Sequence, residues 1–159
     1  MFLNKRKAIF LISVSLLIFI LTINQVKSQT IKIVDGDTIH LNGEKIRFTG
    51  IDTPELKQTC LKGGVKNPCG VTAKQILIDK IANNNIECIG EGKDQYKRTL
   101  AECFVDNESL SSYLVRSGYA FAYRRYSKKF IKDEDYAKFN KLGMWSMEFD
   151  YPWDWRKKN

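Results

Sequence analysis

Residues 31–55 read IKIVDGDTIHLNGEKIRFTGIDTPE, and this stretch decides the fold. β-Branched residues fill Ile31 to Val34 and Thr38 to Leu41, and Asn42-Gly43 is the two-residue signal for a hairpin turn leading into Lys45 to Ile51. The opening is therefore a meander. Its ends carry Asp35-Gly36-Asp37, then Arg47, then Asp52-Thr53-Pro54-Glu55. Taken singly, Asp-Gly-Asp is an ordinary solvated turn and Thr-Pro-Glu an ordinary loop entry. Taken together they gather carboxylates and a guanidinium at neighbouring strand ends, because the hairpin folds Asp37 back toward Asp52. Carboxylate oxygens plus a backbone carbonyl are what a hard cation such as calcium needs. There is no EF-hand loop, so a calcium site would have to be assembled from separate strands.

Downstream, Ala73, Ile76, Leu77 and Ile81 keep helical spacing within Val71 to Ile81, and Asn83 to Asn85 end that helix. Two strand-like stretches follow, Ile86 to Ile89 and Thr99 to Val105, with a turn expected around Gly90 to Lys93. Asp94-Gln95-Tyr96-Lys97-Arg98 is a polar turn with a basic strand entry. Asn107 reads as an N-cap, Leu110, Leu114 and Val115 as an apolar helix face, and Gly118 as its stop. A last short helix is expected over about Asp133 to Leu142, closed by Gly143. The pattern predicts an α+β fold: a five-stranded β-barrel of the oligonucleotide-binding (OB) type with about three α-helices.

Upstream, Lys5-Arg6-Lys7 precedes an apolar run from Ala8 to Ile23, then Val26-Lys27-Ser28. This is the pattern of an export signal cleaved after Ser28, the run being short for a membrane span of about 20 residues. An uncleaved N-terminal anchor is the alternative, so the division is 1–28 as signal or anchor and 29–159 as one domain. The 159 residues are 43% hydrophobic and 28% charged, a globular balance that excludes a disordered, collagenous or multi-span chain. Lys plus Arg outnumber Asp plus Glu by 26 to 18, a net charge of +8 that suggests a polyanionic partner. Lys5, Arg6, Lys7 and Lys27 belong to the export segment, which has no acidic residue, so residues 29–159 keep +4.

Cys60, Cys69, Cys88 and Cys103 all follow that segment, and an even count in an oxidising compartment suggests two disulfides. Three pairings are possible in principle; the local one, 60 with 69 and 88 with 103, is the simplest. A zinc site is the competing reading, but the chain has no Cys-x-x-Cys and one histidine, His40.

The order Asp-Gly-Asp-Thr, hairpin, Arg47-x-x-x-x-Asp-Thr-Pro-Glu, then Asp94-x-Tyr-x-Arg98 before a strand resembles the staphylococcal nuclease (thermonuclease) family, from about Ile31 to Tyr126. Ala122-Tyr123-Arg124-Arg125-Tyr126, Gly143-Met144-Trp145 and Pro152-Trp153-Asp154-Trp155-Arg156 resemble its exported bacterial branch. The resemblance implies a calcium-dependent phosphodiesterase that cleaves DNA and RNA with little base preference and leaves 3′-phosphate ends. It implies calcium-binding roles for Asp37, Asp52 and the Thr53 carbonyl, with Asp35 in support. Glu55 would activate or orient the attacking water, and Arg47 and Arg98 would grip the scissile phosphate. Tyr96 and Tyr126 would contact the bound nucleotide. Lys97 stands where the family has glycine, so the local turn is expected to differ.

Residues 116–132 hold Arg116, Arg124, Arg125, Lys128, Lys129 and Lys132 with no acidic residue, interleaved with aromatics. That combination suits a groove for single-stranded nucleic acid, with Arg124 and Arg125 as substrate contacts. Trp145, Phe149, Trp153 and Trp155 are expected to pack the C-terminal segment onto the barrel. A monomer is expected. The other functional classes are a non-catalytic nucleic-acid-binding module and a membrane-tethered basic interaction protein.

Overall fold

The computed structural model describes residues 28–159. The export or anchor segment read from residues 1–28 thus lies almost wholly outside the described residues. Among those described, no helix is long and apolar enough to cross a membrane.

Strands β1 (Ile31–Ile33), β2 (Thr38–Leu41) and β3 (Glu44–Phe48) form the expected antiparallel meander. Asn42 and Gly43 turn it with φ of 52° and 87°, the left-handed pair that a two-residue turn between right-twisted strands requires. Short β4 (Ile51–Asp52) follows, then a small hairpin of β5 (Cys60–Lys62) and β6 (Val65–Asn67), then helix α1 (Cys69–Ile81). β7 (Glu87–Lys93) and β8 (Thr99–Val105) pair antiparallel, and β8 runs parallel to β3. The sheet order is β1-β2-β3-β8-β7, the five principal strands expected, with β9 (Glu108–Ser109) added beside β8. Helix α2 (Leu110–Arg116), strand β10 (Phe121–Ala122), helix α3 (Ile131–Phe139), a 3₁₀ turn over Gly143–Ser146 and helix α4 (Pro152–Lys158) complete the chain. The architecture is α+β of OB type, with α4 additional to the three helices expected.

Three local readings differ from the structure. Gly90 and Gly92 do not turn the chain; they sit at a register shift in β7, and the strand continues to Lys93. A glycine with no side chain to pack suits a bulge as readily as a turn. Asn107 does not cap α2. It forms, with Asp106, the left-handed turn between β8 and β9 (φ 63° and 50°), and Ser109 caps instead, its hydroxyl accepting from Ser112 N–H. The last long helix begins at Ile131, two residues before the expected start, and ends at Phe139.

The main core lies between the sheet and helices α1 and α2, with Ile39, Phe48, Leu77, Leu110 and Leu114 among its fully buried members. A second cluster gathers Phe121 and Met144 with Trp145, Phe149, Tyr151 and Trp153. Phe121 meets four of those aromatic rings at centroid distances of 5.1–6.2 Å, and Tyr151 stacks on Trp153 at 4.6 Å. Trp145, Phe149 and Trp153 therefore fasten the C-terminal segment, as expected. Cys60 is bonded to Cys69, which opens α1, and Cys88 to its cross-strand partner Cys103. Loop closure of this size stabilises by about 2–4 kcal/mol per bridge in the chain-entropy picture.

Candidate active site

The meander positions the carboxylates. Register places Thr38 opposite Arg47, and Phe48 N–H donates to the Asp37 carbonyl at 2.8 Å, so Asp37 lies at the open end of the β2–β3 hairpin beside the base of Arg47. β4 then brings Asp52 alongside, anchored opposite Phe121 of β10. Gly36 is required here: a Cβ on it would approach the Thr53 side chain to 2.9–3.0 Å. With glycine in place, the segments carrying Asp37 and Thr53 close up, and Thr53 N–H donates to Asp37 Oδ2 at 3.2 Å.

Asp37 and Asp52 are almost wholly buried, at 2% and 1% exposure. One guanidinium serves both: Arg47 Nη1 donates to Asp37 Oδ1 at 2.7 Å and Nη2 to Asp52 Oδ1 at 2.9 Å. The planar fork of arginine suits this divided grip, which a lysine point charge would not reproduce. Thr38 Oγ1 also donates to Asp37 Oδ1, and Asp35 Oδ1 accepts the Asp37 N–H at 3.1 Å. Burial pushes the Asp37 carboxyl up to about 7; Asp35 and Asp52 add to the rise, while Arg47 and the Thr38 hydroxyl pull it back. Burial works against the charge on Arg47, yet Asp37 and Asp52 outweigh it and hold the guanidinium above its ordinary range.

Glu55 stands at the rim, its side chain 38% exposed. Its backbone is fixed from beneath by Gln58, a fully buried amide. Gln58 Oε1 accepts from Glu55 N–H at 3.2 Å, and Gln58 Nε2 donates to the Asp150 carbonyl at 2.7 Å. Gly70, in the first turn of α1, makes the same loop possible, since a Cβ there would lie 1.8 Å from the Glu55 carbonyl oxygen. The Cys60–Cys69 bridge and a two-way backbone pairing of Leu61 with Glu148 complete the clamp.

Sequence reading missed Arg156. From α4, its Nη2 donates to Asp52 Oδ2 at 2.7 Å, and its Nη1 donates to Asp52 Oδ1 at 3.2 Å and Glu55 Oε1 at 2.7 Å. Those two carboxylates outweigh the burial that disfavours its charge and raise its affinity for the proton. The only sequence signal was its place after Trp153-Asp154-Trp155 in the family-like ending.

The structure does not bring every expected residue into this cluster. Arg98 enters β8, which lies beside β3, but its guanidinium is held by Asp94, with Nε to Oδ2 at 2.7 Å and Nη2 to Oδ2 at 2.7 Å. Lys97 adopts φ of 62°, so the lysine takes up the left-handed backbone that glycine accepts at no steric cost, and Asp94 ties the turn through the N–H groups of Tyr96 and Arg98. Tyr96 and Tyr126 are 71% and 72% exposed, with Arg98 over the Tyr96 ring and Arg125 over the Tyr126 ring. Arg124 departs from the expectation of a free substrate contact: its Nη2 is paired with the buried Glu134 at 2.6 Å. Two more of the basic stretch are neutralised, Arg116 by Asp133 and Lys129 by Glu102.

Comparison with known proteins identifies the family. The sequence model described as staphylococcal nuclease homologue matches residues 45–147. An uncharacterized endonuclease of Haemophilus influenzae is 28% identical over 138 residues, covering 82% of this chain and 72% of its own. Two Bacillus subtilis proteins, the SPbeta prophage-derived endonuclease YokF and the endonuclease YncB, are 33% and 32% identical over 128 residues. Each match covers 71% of this chain, but only 42% of YokF and 58% of YncB, so the chain spans less than two thirds of either relative. With the OB-type sheet and the Arg47-bridged carboxylates, these matches place the chain in the staphylococcal nuclease family of phosphodiester hydrolases.

Proposed function

We propose that the protein is an exported, calcium-dependent endonuclease that hydrolyses DNA and RNA with little base specificity. The observation that carries the reading is Arg47 clasping two buried carboxylates, Asp37 and Asp52, beside the partly exposed Glu55.

The donor chemistry fits a hard cation. Asp37, Asp52 and the Thr53 carbonyl offer oxygen only, and the two carboxylates are buried side by side around one shared guanidinium, the donor type that a hard cation prefers. Among the described residues no three acidic, histidine or cysteine side chains converge as a complete ligand set, so water and phosphate oxygens would fill the remaining positions. Calcium bound there would supply Lewis-acid neutralisation of a non-bridging phosphate oxygen. Asp35 braces Asp37 through its backbone N–H.

The chain's own residues supply the rest. Arg47 and Arg98 present planar, permanently charged donors to the phosphate oxygens, on which negative charge accumulates in the transition state. Glu55 accepts a proton from water as the water oxygen bonds to phosphorus. The bond from phosphorus to the 5′ oxygen breaks, the departing oxygen takes a proton from a solvent water, and the phosphate stays on the 3′ side. Tyr96 and Tyr126 offer exposed rings to bases of single-stranded regions.

The test is incubation of the purified, disulfide-bonded protein with single-stranded DNA and RNA in calcium or in chelator. Calcium-dependent cleavage to 3′-phosphate ends is expected. Cleavage that persists in chelator, or that is undiminished in a Glu55→Ala, Arg98→Ala double variant, overturns the reading. Export is checked separately by N-terminal sequencing of protein recovered outside the cell, with Gln29 expected as the first residue.

A further inference from the structure

Arg156 belongs to no part of the scheme above, and it lies beyond residues 45–147, which the family model matches. Both oxygens of Asp52 are nevertheless occupied by guanidinium hydrogens: Oδ1 accepts from Arg47 and Arg156, and Oδ2 from Arg156 alone. An ion approaching Asp52 therefore meets an arginine at either oxygen and competes with its positive charge. The two arginines are not equally held. Arg47 is a strand residue with 20% of its side chain exposed, whereas Arg156 extends from α4 with 38% exposed. The backbone of α4 is secured independently, by buried Pro152 and by Trp153 stacked between Tyr151 and Tyr123. The side chain can leave Asp52 while the helix stays.

We propose that Arg156 is the resident counter-ion of the cation site: it holds Asp52 and Glu55 in place before a divalent ion arrives, cedes Asp52 to that ion, and keeps Glu55 oriented afterwards. The proposal rests on the reading of Asp37 and Asp52 as cation ligands. Without a second positive charge, Asp52 would be buried with half a share of Arg47, a costly arrangement for a carboxylate at 1% exposure. With it, the cation-free protein stays balanced, and calcium affinity is reduced by the strength of the contact that must be given up. Arg156 is thus a positioning residue acting through Asp52 and Glu55.

Calorimetric titration of calcium chloride into chelator-treated full-length protein tests this. Arg156→Gln is expected to bind calcium roughly ten-fold more tightly, since a charge-assisted contact no longer competes. Arg156→Lys should fall between, and Lys158→Gln on the same helix should bind as the parent does. At saturating calcium, kcat of Arg156→Gln should fall although affinity has risen, because Glu55 has lost its partner. A merely structural role would not move the two in opposite directions. Should Arg156→Gln fail to fold, the parent protein decides: the ¹⁵N guanidinium signals of Arg156, held by Asp52 in chelator, should show freer rotation on adding calcium. Equal or weaker calcium binding in a folded Arg156→Gln protein, or guanidinium signals indifferent to calcium, overturns the proposal alone. A parent protein that binds no calcium overturns the cation-site reading and the proposal with it.

Discussion

The chain has two charged regions, and they are built in opposite ways. Around Asp37, Asp52 and Glu55, charges from four separate segments meet across as many as 104 residues of sequence, and two of the carboxylates are buried. In the stretch 116–132, basic residues follow one another closely, lie mostly at the surface, and half of them are neutralised by acids of β8 and α3. The dispersed region reads as weak in sequence and is tightly wired in the fold. The concentrated region reads as strong, yet Arg125, Lys128 and Lys132 are what it keeps for a polyanion. A run of like charge reports composition; the fold decides how much of it faces outward.

The sharpest way to break this contrast is Arg47→Ala. It strands buried Asp37 and leaves buried Asp52 to Arg156 alone, so unfolding free energy should drop by about 3–5 kcal/mol by urea denaturation, with nuclease activity falling at least about 100-fold. A loss of activity with stability intact would mean that Arg47 serves the substrate alone. Next, Glu55→Gln should lower kcat by about 10²–10⁴-fold while leaving the urea midpoint nearly unchanged, because this carboxylate sits at the rim.

The buried side also has a signature in pH. The Asp37 carboxyl, raised to about 7 in the fold against an ordinary 3.8, binds its proton more tightly folded than unfolded. Its contribution to stability is fully present below the unfolded value and is lost as pH rises through about 7. In chelator, thermal midpoints should therefore decline between about pH 4 and 7, and Asp37→Asn should flatten that decline; an unchanged slope would show that Asp37 titrates normally. The smallest effect is expected in the basic stretch. Lys128→Gln should reduce the salt slope of single-stranded DNA binding by about 0.7, one phosphate contact, whereas Arg124→Gln should leave it unchanged because Glu134 already holds that charge.

Legibility in the sequence follows the same divide. Asn42-Gly43 fixes the hairpin by local backbone chemistry, and the hairpin alone carries Asp37 to Arg47, so that half of the site is readable from contiguous residues. Periodicity likewise marks α1, whose buried Ala73, Leu77 and Ile81 are the apolar positions expected. Where two residues compete for one local task, as Asn107 and Ser109 do for the α2 cap, tertiary pairing settles the choice, because the β8–β9 turn claims Asn107. Gln58 carries no readable signal, and Arg156 only its place in the family-like ending. Their partners are remote in the chain, Gln58 reaching Asp150 across 92 residues and Arg156 reaching Glu55 across 101, and neither residue type is unusual where it stands.

That long reach imposes an order in time. A ribosome completes Asp37, Arg47, Asp52 and Glu55 about a hundred residues before it adds Arg156, and the Asp150 carbonyl that steadies Gln58 comes nearly as late. A nascent chain thus carries every acidic group of the site long before it has the means to fix them, and the site is finished by the same short helix that Phe121 and its ring neighbours receive. Until that helix docks, the polypeptide has the ingredients of its chemistry without the geometry.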